Sequence, residues 1–577
     1  MPETSPARDA AKSKALLLIL ALLLALGAGL LYSPVAGYDF ITLDDGQFVI
    51  DNAIVRSGLT VEGVKEVFSR TLLEAYMPLT WLSFMADSEL FGMESSGFHI
   101  TNALFHVLNT LLLFAFLYRA TGSPVKSFLA AALWTFHPLR VESVAWIAER
   151  RDMLSGFFLL LCLLSWLEWT KKGEARWYLL ALSAFTAGLM SKPVIVVAPL
   201  LLLAADLWPL ERFKEKGFAE RLKNLLPEKL PFFALSALFS AITLVAFAKA
   251  PYPERFIPPS GRFAEIATTY THYLWKTLWP VELVIQNSAS FTHLSGLSAV
   301  LGWILFLALT FAAVKAVKKS PAVTAGWLWF VFALVPVSGI ITLGLYSVAD
   351  HLTYLPHMGL SFLAVWGADS LLGERIKLRQ AAATTGIVCI LILGAVSSVQ
   401  LSHWKDGLTL FKYIYSVKPN IFSQRMLALA HLRARNYEES FRLYEDALKK
   451  DPDDTASYRD MGIILSMTGK PKEALKYLFL VVEREPDISE NNGYMAMSLL
   501  QAGQSARSEY YFKKSLSLNP GNAASLYNYG VMLEWAGRKD EAMSQYREIL
   551  RLAPESDFAS LAREKLGADL EKAKVLK

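Results

Sequence analysis

Cysteine is almost absent from this sequence: its 577 residues include two, Cys162 and Cys389, both inside apolar runs. That scarcity excludes a disulfide-stapled fold and a thiolate metal centre, and leaves the pair as small core residues that say nothing about redox compartment. Charge is scarce as well. Asp, Glu, Lys and Arg make up 19% of the chain, against about 25% in soluble domains. The net charge of +5 comes from short loops rather than one basic face, so no nucleic-acid partner is implied. Apolar residues take the place of charge: 54% of the chain is hydrophobic, too much for a soluble protein of this length.

Those residues fall in runs. Crossing the hydrocarbon core takes about 20 residues, and candidate runs recur near 15–31, 98–118, 125–138, 154–170, 177–191, 193–209, 231–249, 296–317, 322–346, 352–372 and 381–401. The expectation is an all-α, polytopic membrane domain of about 11 transmembrane helices. The first run has no small-residue cleavage site after Leu31 and reads as a retained span rather than a removed signal. Basic residues of short loops mark the cytoplasmic side. They occupy every second connection: Lys12 and Lys14, Arg119 and Lys126, Lys171 and Lys172, Arg212 and Lys229, Lys315 and Lys319, Arg375 and Arg379. The N-terminus is therefore expected in the cytoplasm, in a multi-pass plasma (inner) membrane protein, with everything after Leu401 outside.

Beyond His403 the charge rises and prolines recur. Pro452, Pro486, Pro520 and Pro554 stand 34 residues apart, which is the tetratricopeptide period. Gly462 and Gly530, Ala474 and Ala542, and the aromatic positions Tyr444, Phe512 and Tyr546 repeat in step with it. The expected organisation is a membrane domain over 1–402 with outer loops 32–97, 139–153 and 250–295, then a linker helix over 403–420. A solenoid follows over 421–577, with four repeats and a terminal helix, and its concave face suits an extended extracytoplasmic peptide.

With this topology the unusual polar residues nearly all lie on the outer side. Asp44 and Asp45 occupy the first outer loop, and His137, Arg140, Glu142, Glu149, Arg150, Arg151 and Asp152 the second. Lys192 lies at membrane level in a short SKP turn, His272, Tyr273, Lys276 and Trp279 in the fourth loop, and Asp350 and His351 in the fifth. Ionised groups beside lipid point to function by default, and basic residues on the outer side suit an anion. A carboxylate there can take a proton from an acceptor hydroxyl, while cations stabilise a phosphate leaving group. Each feature also has a plainer reading. Asp-Asp pairs cap turns, the Glu142–Asp152 charges can neutralise one another, Lys192 can snorkel, and His99 and His106 can be packing residues. Were a divalent metal bound, Asp44 and Asp45 are the acids that would hold it.

Five strings carry a family likeness: FHPLRVESVAWIAERRDMLSGFF, PLTWLSFMADSELFG, FHITNALFHVLNTLLL, GLMSKPVIVVAPLLLLAADLWPL and ADHLTYLPHMGL. They resemble bacterial relatives of the transmembrane and tetratricopeptide repeat-containing O-mannosyltransferases, which are similar to protein O-mannosyltransferases in having the multi-span GT-C glycosyltransferase fold. The resemblance implies an inverting transfer of a sugar, mannose in eukaryotic members, from a polyprenyl-phosphate carrier to Ser or Thr hydroxyls. The acceptors would be extracytoplasmic proteins bound by the repeats, and no metal or other cofactor would be required. It places catalysis on Asp44 and Asp45 and the donor phosphate near Arg150, Arg151, Lys192 and His351. His137, Glu142, Glu149, Asp152, Asp350 and Tyr354 would support them. Three positions depart from the family pattern: His351 stands where Arg is usual, Met77 where His often precedes PLTWLS, and IQN at 285–287 where FYP is common.

Two other classes compete. A non-catalytic, membrane-anchored repeat scaffold needs one span and has no use for acids and bases gathered on one side. A transporter would carry ionisable groups at the bilayer midplane and an internal inverted repeat, and neither is visible.

Overall fold

The computed structural model describes residues 6–575 apart from positions 42, 74, 214–217, 249–258, 286–295, 341–347 and 555. Of the divergent IQN string, Gln286 and Asn287 lie outside the described residues. The chain forms two compact units: Met1–Ile50 with Gly58–Asp406, and Asp51–Ser57 with Gly407–Lys577.

The first unit is helical among the described residues, and each of the eleven apolar runs carries a helix. Six helices are long and apolar enough to cross a membrane: Ser13–Gly37, Ser95–Thr121, Ile147–Lys172, Glu220–Phe247, Gly296–Ala316 and Ile376–Ser402. The other five are shorter: Pro124–Thr135, Ala175–Leu189, Ala198–Leu207, Pro321–Leu334 and Pro356–Leu372. Proline explains most of that shortness. It opens three of these helices and is the second residue of Ala198–Leu207, and a proline in the first turn begins a helix but cannot continue the one before.

Packing inside this unit relies on small and polar residues, as it must where lipid removes the hydrophobic drive. Helices Pro321–Leu334 and Pro356–Leu372 meet at Gly326 and Gly359, where a Cβ on either would lie 2.6 Å from the other's carbonyl oxygen. Asn109 of Ser95–Thr121 donates to Met153 O at 2.9 Å and to Tyr354 Oη at 3.0 Å. At the basic ends of the helices Lys229 and Asp206 are buried and paired at 2.5 Å, with Trp166 donating to the same carboxylate at 3.0 Å. The unusual acids lie at the opposite ends.

The long loops are structured. Loop 32–97 contains helices Val61–Ser69 and Pro78–Phe91. Loop 250–295 contains helix Pro259–Leu278, whose Tyr273 donates to Ala349 O at 3.0 Å and accepts from Ala349 N at 3.1 Å. Those bonds anchor the turn Asp350–Thr353.

In the second unit helix Gly407–Val417 packs on Ile421–Arg433, so the segment read as a linker is built into the repeat unit. Four helix pairs follow, ending at Leu552, then helix Asp557–Val575. Gly469, Gly503 and Gly537 hold left-handed turns with φ of 77°, 78° and 77°, and Arg435 takes the equivalent place at 60°. Tyr444, Ala474, Phe512, Ala542 and Tyr546 are buried, each at the packing position its spacing implied. The pocket between repeats, about 430 Å³, is lined by Met467, Tyr494, Met497 and Asn528 among others.

Candidate functional site

The site begins where the first span ends. After Tyr32 the chain makes the turn Ser33–Gly37 and reaches two adjacent aspartates with different surroundings. Asp45 is fully buried. Its Oδ2 accepts from Ile41 N and its Oδ1 from Ala148 N, both at 2.9 Å, which ties the first outer loop to the turn Ile147–Glu149. Asp44 accepts Phe48 N on its carbonyl at 2.8 Å, opening the π-helical turn Gly46–Ile50. Its side chain stays 35% exposed, with Oδ2 3.5 Å from Arg151 Nη2. Arg151 lies over the Phe48 ring, 5.1 Å from its centroid.

Glu149 is the hub of the cluster beside Asp44. It pairs with Arg151, accepts from Lys192 Nζ at 3.0 Å, and its Oε1 lies 3.6 Å from His351 Nε2. Lys192 also reaches Asp152 Oδ1 at 2.6 Å. His351 Nδ1 meets Glu142 Oε1 at 2.5 Å. The structure thus brings together Asp44, Glu142, Glu149, Arg151, Asp152, Lys192 and His351 from four segments distant in sequence. Asp350 is buried at the start of the turn carrying His351.

Four residues named from the sequence go elsewhere. Arg150 follows Glu149 at the start of helix Arg150–Lys172, and one step along a helix turns a side chain by about 100°. It therefore faces helix Pro78–Phe91 and is filled by structural partners: Asp87 at 2.5 Å, Asn102 Oδ1 at 2.6 Å and Phe98 O at 2.7 Å. It is buried, and these partners hold it away from the cluster around Glu149. His137 accepts Leu139 N at 3.2 Å and meets Thr277 O at 3.0 Å, a capping role. Tyr354 joins Asn109 and His106, both at 3.0 Å from its Oη, in the helix core. Asp45 is turned inward, its two oxygens taken by the amides of Ile41 and Ala148.

Burial governs the protonation of the outer acids. It raises Asp44 above the ordinary carboxylate value, with Arg151 opposing. It raises Asp45 to about 7 despite its two amide donors, and Asp350 to about 7 against Lys276 and Arg140. Burial also lifts Glu142 well up, reinforced by Asp350 and Glu149, and lowers His351 to about 3. Burial thus favours the uncharged forms of both Glu142 and His351 across their contact.

Ligand atoms of Glu149, Asp152 and His351 lie within 4.8 Å of one another. This is the group of metal-ligating composition among the described residues, and it is not the pair Asp44 and Asp45. Lys192 and Arg151 already bond its carboxylates. Sequence reasoning gave no role to Asp87 or Phe48, and it marked Arg140 only as one of several basic residues on the outer side.

Helices able to cross a membrane, ionisable groups gathered at one set of helix ends and a repeat solenoid define a multi-pass membrane protein with a tetratricopeptide repeat unit. Residues 79–218 match the family described as dolichyl-phosphate-mannose-protein mannosyltransferase, and residues 425–487 and 495–557 match the tetratricopeptide repeat. The chain is 22% identical over 548 residues to the human protein O-mannosyl-transferase TMTC3, covering 83% of this chain and 57% of that protein. It is 24% identical over 445 residues to mouse protein O-mannosyl-transferase TMTC4, covering 66% and 59%. The chain thus spans somewhat over half the length of these relatives. Among solved structures, YrrB, titled a TPR protein with an unusual peptide-binding site, is 20% identical with a TM-score of 0.24, covering 27% of this chain and 81% of that one.

Proposed function

We propose that this protein is a membrane glycosyltransferase that moves a sugar, with mannose the leading candidate, from a polyprenyl-phosphate carrier to Ser or Thr hydroxyls of extracytoplasmic proteins. The observation that carries the reading is the placement of Asp44: a partly exposed carboxylate 3.5 Å from Arg151, beside a cluster whose Lys192 and Glu149 lie in the stretch that matches the mannosyltransferase family. The acceptor oxygen attacks the anomeric carbon as Asp44 takes its proton. The bond from that carbon to the phosphate oxygen breaks, and its electrons leave with the polyprenyl phosphate. One displacement inverts the anomeric centre. Arg151 and Lys192 face the leaving phosphate, whose charge grows from one to two and makes cationic stabilisation count most in the transition state. The acceptor comes from the side of the membrane opposite Lys171 and Lys172, where the repeats offer it a groove.

The test is Asp44→Asn in a strain lacking the native copy. Sugar on extracytoplasmic proteins should fall to background while the protein still inserts and accumulates. Unchanged glycosylation would instead favour a repeat scaffold for extracytoplasmic clients.

A further inference from the structure

The segment from Pro138 to Asp152 carries three arginines, and two of them have carboxylate partners. Arg150 is matched by Asp87, Asn102 and Phe98 O, and Arg151 by Glu149 and Asp44. Arg140 differs. It is 0% exposed, its Nη2 donates to Thr353 Oγ1, and its Nε and Nη1 reach no acceptor among the described residues. A guanidinium taken out of water and left half unpaired is strongly disfavoured. Its carbon lies 5.4 Å from the Tyr354 ring centroid and 5.9 Å from that of Trp134. Those faces attract the charge, yet offer no oxygen. The hydroxyl of Tyr32, buried in the same region, also lacks a partner. Asp152 and Asp350 are close enough to act on Arg140 through space, and neither bonds it.

The position of Arg140 gives those spare donors a purpose. Thr353 closes the turn Asp350–Thr353 that carries His351, and Glu142, two residues beyond Arg140, holds His351 at 2.5 Å. The segment thus grips the turn twice, once through Arg140 and once through Glu142. His351 has the Glu142 carboxyl at one ring nitrogen and Glu149 3.6 Å from the other, a setting that favours no anion. We propose that Arg140 is a further phosphate-binding guanidinium of this site, alongside Arg151 and Lys192, its free N–H groups donating to the phosphate oxygens of the polyprenyl carrier. This deepens, and rests on, the glycosyltransferase reading above.

The assignment is tested with the purified full-length protein in nanodiscs, by measuring affinity for undecaprenyl phosphate and for the neutral alcohol undecaprenol. Wild type should prefer the phosphate by about tenfold or more, the worth of a charge-assisted hydrogen bond. Arg140→Lys should reduce that preference several-fold and Arg140→Gln should reduce it further, with affinity for the alcohol unchanged. A wild-type preference in both variants would overturn the assignment and leave Arg140 as a counter-charge for Asp350 and Asp152. An equal loss for both lipids would overturn it too, marking a structural role. If Arg140→Gln does not fold, Arg140→Lys alone decides. Failure of the wild type to prefer the phosphate would instead remove the lipid-phosphate donor itself.

Discussion

Asp44 and Asp45 are chain neighbours that do different work: Asp45 is sealed between the amides of Ile41 and Ala148, while Asp44 keeps a third of its side chain exposed beside Arg151. Substitution should separate them. Asp44→Asn is expected to lower turnover by about 10²–10⁴-fold, the worth of a general base, with thermal stability unchanged. Asp45→Asn leaves one amide without a carboxylate oxygen and should cost about 1–3 kcal/mol of stability. Paired glycosylation and melting measurements on the two variants read this out, and loss of activity without loss of stability in Asp45→Asn would reverse the roles.

The pH–rate profile should have an acid limb above the ordinary Asp value of about 4. Burial raises Asp44, the base works only when ionised, and activity is therefore lost as pH falls through that raised value. Arg151 holds Asp44 down, so Arg151→Gln should move the limb to still higher pH. A limb that stays in place would exclude Asp44 as the titrating group.

Stability carries a second pH signature. Asp45 titrates near 7 in the folded protein and near 4 unfolded, so between those values the native state holds a proton that the unfolded state has released. Its contribution is full below about pH 4 and declines as pH rises toward 7. Melting temperature plotted over that window should fall more steeply in wild type than in Asp45→Asn. Parallel curves would show that Asp45 is ionised throughout.

The neighbouring arginines should also part company. Arg150→Gln strands the buried Asp87 and is expected to cost about 3–5 kcal/mol, visible as poor accumulation or early melting. Arg151→Gln should fold and instead raise the KM for the lipid-linked donor. Kinetics on both variants, with expression levels recorded, discriminate; a donor defect in a well-folded Arg150→Gln protein would put Arg150 back at the phosphate.

In the repeat unit a Cβ at Gly530 would lie 2.6 Å from Tyr546 Cε1. Gly530→Ala should therefore destabilise the solenoid by about 1–3 kcal/mol, seen as faster proteolysis within 407–577. Gly537→Ala tests a different cost, that of a left-handed turn at φ 77°, and should weaken the same unit without a steric clash.

Much of this architecture was legible in the chain because it rests on periodicity. Proline spacing placed the repeats, whose packing glycines and aromatics sit where the period requires, and apolar run length placed a helix at every expected position. Run length could not say which helices are cut short, since that depends on prolines read as first-turn residues and on turns too tight to recognise. Nor could it show that loop 250–295 would fold into a helix whose Tyr273 braces Ala349.

The sequence by itself determined the inventory: which side chains are ionisable, and that they gather at one set of helix ends. Only the tertiary structure decided who meets whom. Arg150 and Arg151 are indistinguishable in a string, yet a turn of about 100° per residue sends one to Asp87 and the other to Glu149. Asp44 and Asp45 are likewise parted by which carboxylate reaches the amides of Ile41 and Ala148. Arg140 stands out only once its donors can be matched against the hydroxyl of Thr353 and the ring of Tyr354, more than 200 residues away. Pairing, burial and solvent access depend on distances between remote segments, and those distances exist only in the folded chain.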